Sequence, residues 1–251
     1  MAKSIFYVDA LLKSEKKNIS ELANQLITVL TNLSEIDGVF SSFLYIKDSF
    51  KKSINIQSLG SEKAKNELAE AILESNKSDI KQHEKEEKPT LEFSRDFGFS
   101  HVLQFYFNET KLFTITGNLA TNDHPYFRLN SFDMDNQFSF EWYEKVIKSI
   151  TDTLSPTSAS VIIRLDNFFD KYIDLKVKYC FGWLTYFSND NEIQIPDDLE
   201  GVEYEHTEKG KYIILTRDDF TVSKEAYEVQ RDKLLAVMKE VKERVPEYSE
   251  S

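Results

Sequence analysis

Leu22, Leu26, Val29, Leu30 and Leu33 recur at the spacing of one helical face. Asn18, with Glu21 three residues later, forms a capping-box pair, so a helix is predicted to begin just after Asn18 and to stop at Gly38. The preceding SIFYVDALL, residues 4–12, is rich in aromatic and branched side chains and reads as an opening strand. A second helix is predicted over Ser61–Ser75, where Ala64, Leu68, Ala71 and Ile72 share a side among strong helix formers.

After a polar stretch, NKSDIKQHEKEEKP, the pattern changes from helical to alternating. LEFSRDFGF, HVLQFYFN and KLFTITGN predict an antiparallel meander, its second turn made by Asn108, Glu109 and Thr110. Phe140, Tyr143, Val146, Ile147 and Ile150 then return to helical spacing and end before Pro156. SASVIIRL is read as a strand, and YCFGWLTYFS as the most apolar one. Its two faces, Cys180, Gly182, Leu184 and Tyr186 against Phe181, Trp183, Thr185 and Phe187, both need cover, which places it centrally. VEYEHT and KYIILT predict a hairpin turning at Glu208, Lys209 and Gly210. A final long helix from about Val222 offers Ala226, Val229, Leu234, Met238, Val241 and Val245 for burial. This order predicts an α+β fold, a largely antiparallel central sheet with helices packed on it, in a single domain spanning residues 1–251 whose one place for a boundary is 76–90.

Composition narrows the function classes. With 43 acidic against 31 basic residues the net charge is −12, which opposes binding to nucleic acid or an anionic membrane and favours a positively charged protein partner. One cysteine, Cys180, precludes an internal disulfide, and no export signal or apolar run of about 18 residues is seen, so a cytoplasmic location is expected. His83, His101, His124 and His206 stand at no metal-ligand spacing, and no glycine-rich phosphate cradle occurs among seven glycines. No cofactor and no enzymatic activity are expected. Asp133-Met134-Asp135 lacks the further ligands of a calcium loop. The alternative reading is a metal-dependent nuclease or hydrolase built on Asp166, Asp174 and Lys176, an acid-x-lysine pattern that such a charged chain also produces by chance.

The segment after the apolar strand carries the functional expectation. NDNEIQIPDDLEGVEYEHTE, residues 189–208, contains Asp190, Glu192, Asp197, Asp198, Glu200, Glu203, Glu205 and Glu208 and no Lys or Arg. One reading is a solvated loop kept soluble by charge. The other is a docking surface for a basic partner, using Asp190, Glu192, Asp197, Asp198, Glu200, Glu203 and Glu205 for steering and Tyr204 as an anchor, with the apolar strand holding the loop in place.

The N-terminal FYVDALL strand running into a Leu-rich helix, the GWLTYFS strand and the ending GVEYEHTEKGKYIILTRDDFTVSKEAYEVQRDKLLAVM resemble the bacterial polymorphic-toxin immunity proteins of the immunity protein 52 family. Gly182, Trp183, Tyr186, Ser188, Gly201-Val202 and Gly210 carry the likeness. The chain departs from it after the first helix, where VFSSFLYIKDSF replaces a Trp-containing turn. The resemblance implies a cytoplasmic antitoxin that binds and blocks a cognate secreted toxin, often a nuclease, in bacterial competition of the type VI secretion kind. It identifies no interface residue.

Overall fold

The structure, a computed structural model, describes residues 5–86, 88–122, 124–131, 138–164, 181–218 and 223–249. It is an α+β fold, and every strand pair with a described register is antiparallel. The chain forms two compact units, one of residues 1–10, 131–151 and 155–251, the other of residues 11–130 and 152–154. Residues 76–90 lie inside the second unit.

The second unit is built on strands in the order β3-β2-β4-β5-β6. These are β2 Ser42–Lys47, β3 Phe50–Asn55, β4 His101–Phe107, β5 Thr110–Asn118 and β6 Tyr126–Ser131. Helix α1, Ile19–Ile36, starts as predicted: the Asn18 side chain accepts from the Glu21 N–H and Glu21 accepts from the Asn18 N–H. It buries Leu22, Leu26, Val29, Leu30 and Leu33. The short α2, Ile56–Leu59, leads into α3, Ser61–Asp79, which packs on α1 and runs on as one wider turn through Ile80–Glu84. Phe40 closes the core with its ring 5.3 Å from that of Phe105 and 5.0 Å from that of Phe113.

Three strands here escape the sequence pattern. SFLYIK and FKKSIN form a hairpin through Asp48, which takes φ 51°, and YFRLNS is a third strand in a stretch for which no element was predicted. Conversely, LEFSRDFGF does not form the first strand of a meander. Gly98 takes φ 61°, Arg95 Nε turns back onto the Gly98 carbonyl, and only an isolated bridge from Ser94 to Asn18 remains.

The first unit orders its strands β1-β7-β8-β10-β9. They are β1 Ile5–Leu11, β7 Ser158–Arg164, β8 Leu184–Ser188, β9 Glu203–His206 and β10 Gly210–Ile214, accompanied by α4 Phe140–Leu154 and α5 Lys224–Arg244. β8 lies between β7 and β10 and buries Leu184, Thr185, Tyr186 and Phe187, so both of its faces are covered as the sequence required. The strand is shorter than predicted because the regular ladder ends at Val161, which pairs with Leu184 while its carbonyl also accepts from the Trp183 N–H at 2.8 Å; the backbones are so close there that a Cβ on Gly182 would fall 2.0 Å from that oxygen. Trp183 is buried against Phe140 and Tyr143 of α4 and donates to the Thr216 carbonyl at 2.7 Å. On α5, Tyr227, Leu234, Val237, Met238 and Val241 are buried, whereas Val229, expected inside, is 65% exposed. The α5 stripe follows Tyr227 and Val237 instead, which keeps the helical period from Leu234 onward.

Candidate functional site

The acidic segment leaves β8 through a turn that is tied down on both sides. Asn189 donates from its main chain to the Lys209 carbonyl at 2.9 Å and from its side chain to the Glu208 carbonyl at 3.0 Å. Asn191, buried, donates to the Thr157 carbonyl and accepts from the Ile193 N–H. Ile193, Ile195 and Leu199 point inward, while Glu192, Gln194, Asp197, Asp198 and Glu200 point out. Alternation anchors the loop by its apolar residues and leaves the carboxylates in solvent.

Tyr204, on β9, holds the far end of this loop. Its hydroxyl accepts from the Leu199 N–H at 2.8 Å and donates to the Pro196 carbonyl at 3.2 Å. Partial burial raises its pKa, with the Asp197 and Asp198 charges adding to that. Its ring stacks on His206, centroids 6.2 Å apart and 18° between planes.

The electrostatics differ from the expectation of a patch of unrelieved repulsion. Asp197 pairs with Lys211 and Asp198 with Arg244. Glu203 lies 3.0 Å from Arg217, and Glu205 lies 2.6 Å from Lys148. The hydrogen bond from Lys211 lowers the Asp197 pKa, and the bond to Asp198 raises that of Arg244. Cations drawn from α4, β10, the segment after β10 and α5 thus reach four of the carboxylates, because an isolated like-charged cluster would be raised in energy and the fold supplies counter-charges.

The neutralisation is incomplete, since three of those cations are shared. Lys148 also binds Glu144 at 3.1 Å, Arg217 lies 3.5 Å from Glu144, and Arg244 binds Glu240 at 2.7 Å. Six carboxylates therefore share four basic groups. Glu192, Glu200 and Glu208 are exposed, and no basic side chain among the described residues lies within ion-pair distance of them. Asp190 is exposed in the turn and has a polar partner. Over the whole sequence the first unit carries 25 acidic and 16 basic residues, net −9, and the second 18 and 15, net −3. The charge asymmetry is a property of the unit that holds this loop.

No family model matches the chain, and no curated protein matches it. Among solved structures it is similar to a Pseudomonas aeruginosa T6SS protein, PA0821, with 8% sequence identity and a TM-score of 0.48, over 94% of this chain and 77% of that one.

The metal-hydrolase candidates Asp166, Asp174 and Lys176, together with Cys180, Asp133 and Asp135, lie outside the described residues. Among the described residues no three His, Cys, Asp or Glu side chains come together as a metal site, and no helix is long and apolar enough to cross a membrane. His101 is fully buried in the second unit. The cations Lys148, Lys211, Arg217 and Arg244 are the members of the acidic site that sequence reasoning missed. No local signal marks them, for each is an ordinary surface Lys or Arg until the fold brings it to its carboxylate.

Proposed function

We propose that the protein is a non-enzymatic immunity protein that binds and neutralises a cognate secreted toxin, a basic and nuclease-type effector, by docking its acidic surface. The observation that carries this reading is the residual negative charge around the β8–β9 segment: four of its carboxylates, together with Glu144 of α4 and Glu240 of α5, share four cations, and Glu192, Glu200 and Glu208 project beyond them. A surface of this kind steers a cationic protein into register, while contact with Tyr204 and His206 supplies a firm aromatic centre. The resemblance to immunity protein 52 supports the same reading, and nucleic-acid-cleaving enzymes carry the basic grooves that complement it.

The paired state of Asp197 and Asp198 moves the steering role to the unpaired residues. The test is therefore Glu192→Lys/Glu200→Lys/Glu208→Lys, compared with the native chain in stopped-flow association with the C-terminal domain of a large secreted protein encoded beside it. Association is expected to slow at least tenfold at low salt and to lose most of its salt dependence. Unchanged rates across ionic strengths would remove this surface as the docking site. Divalent-metal-dependent cleavage of nucleic acid by the native chain, abolished by Asp174→Ala, would replace the reading with the hydrolase.

A further inference from the structure

We infer that the edge of β9 facing away from β10, which no described residue covers, is a strand-addition site, which takes an extended segment of a basic protein partner as the next strand of the sheet. The inference rests on the docking reading above and specifies how the contact is made.

β9 closes one end of the strand order, and β10 is its one pairing neighbour among the described residues. The phase of the ladder is fixed at its turn, where the Thr207 N–H donates to the Gly210 carbonyl at 2.8 Å. With Glu205 opposite Tyr212 and Glu203 opposite Ile214, antiparallel alternation directs the main-chain groups of Glu203 and Glu205 to β10. Those of Tyr204 and His206 face the other way. The neighbouring ladder agrees: Asn189 bonds to Lys209 and Leu215 to Trp183, which turns Lys211 and Ile213 toward β8 and leaves Tyr212 and Ile214 for β9. No hydrogen bond from a described residue reaches the outward N–H and C=O groups of Tyr204 and His206. Two donors and two acceptors in line are what an added strand engages.

The side chains specify the occupant. Glu203 and Glu205 share one face beside this edge, and with Glu144 they make three carboxylates against the two cations Arg217 and Lys148, so the face keeps a net negative charge although both glutamates are paired. Tyr204 and His206 share the other as a stacked pair, with the Tyr204 hydroxyl clamped. A strand with Lys or Arg at alternate positions meets the carboxylates on one face and lays flat apolar or aromatic groups on the ring pair with the other. A second copy pairing through the same edge would set Glu205 against Glu205, or Glu203 against Glu205, according to register. Like charges directly opposite disfavour that pairing, so the acids guard the edge against self-association while admitting a basic strand.

The experiment uses the full chain and two peptides, KVKYKVK and EVEYEVE, with amide hydrogen exchange read by NMR. In the free chain the Tyr204 and His206 amides are expected to exchange fast, and the Glu205 amide slowly. KVKYKVK should slow Tyr204 and His206 at least tenfold, and EVEYEVE should leave them unchanged. His206→Pro removes an outward donor without breaking a bond to β10, and should weaken KVKYKVK binding at least fivefold. His206→Ala, which keeps the donor, should cost less than half as much on a logarithmic scale. Equal losses in the two variants, or no slowing at millimolar peptide, overturn strand addition. So does protection of Tyr204 and His206 in the free chain that grows with protein concentration, which would assign the edge to a second copy. Salt-dependent binding of KVKYKVK with both amides still open would leave electrostatic docking standing and remove only the strand.

Discussion

Lys148 reaches from α4 to the edge strand and donates to Glu205 at 2.6 Å while also holding Glu144. Partial burial works against its charge, but the hydrogen bonds to Glu205 and Glu144 outweigh this and raise its pKa. A lysine pKa raised in the folded state contributes stability that is present below the ordinary lysine value and lost as pH rises through the folded one. Lys148→Ala should therefore lower the unfolding free energy by less than about 1 kcal/mol near neutrality, because the pair is solvent-screened. The difference from the native chain should vanish in strongly alkaline urea titrations. The same variant leaves Glu144 and Glu205 less compensated and should quicken capture of a basic partner at low salt.

His101 gives the opposite pH dependence. Its ring is buried with neither nitrogen hydrogen-bonded in good geometry, and burial pushes its pKa down to about 4, against a smaller opposing pull from the Phe99 backbone. As pH falls below the ordinary histidine value the unfolded chain takes up the proton first, so stability present above pH 6.5 is lost on the way to pH 4. The loss is on the order of 3 kcal/mol, at about 1.4 kcal/mol per pH unit. His101→Leu should remove this slope and cost little at pH 7, since no hydrogen bond is given up. Urea unfolding of the two chains at pH 7 and pH 4.5 measures both effects.

The hairpin between β4 and β5 turns through Asn108 and Glu109 at φ 46° and 66°. Two successive left-handed residues match the twist of paired strands, and Asn suits the first position while Glu is strained at the second. Glu109→Gly should raise the unfolding free energy by about 0.5–1 kcal/mol, the strain relieved exceeding the added freedom of the unfolded chain. A higher urea midpoint with an unchanged slope is the expected result.

What could be read in advance was whatever repeats locally. α1 was legible from Asn18, Glu21 and its leucines, and β8 from a run apolar on both faces, because caps and periodicity act within a few residues. β2 and β3 were not, since FKKSIN has polar residues at most positions and takes its pairing from β2 and not from its own composition. LEFSRDFGF had strand composition, but Arg95 and Gly98 closed it into a turn. The same distinction divides the acidic site. The carboxylates from Asp190 to Glu208 fall in one short stretch of sequence, yet the partners of Asp198 and Glu205 lie 46 and 57 residues away. A run of like charge in sequence therefore says where a field originates, and only the fold says how much of it survives.

Tyr204 decides whether the loop preceding β9 behaves as a fixed surface. Its hydroxyl is the group that bridges the Pro196 carbonyl and the Leu199 N–H, on either side of the outward carboxylates Asp197 and Asp198. Tyr204→Phe keeps the ring and its stacking on His206 but withdraws both hydrogen bonds, leaving the Leu199 amide without that acceptor. The expected loss of global stability is about 1 kcal/mol, the net worth of such bonds. The local effect should be larger: the Leu199 amide should exchange at least tenfold faster, while the Glu205 amide, bonded to β10, keeps its rate. A carboxylate surface that must be held in place to steer a partner would then bind more slowly in Tyr204→Phe with its net charge unchanged. Exchange at Leu199 equal in the two chains would show that the loop is held without the Tyr204 hydroxyl, by its apolar packing and by the Lys211 and Arg244 pairs.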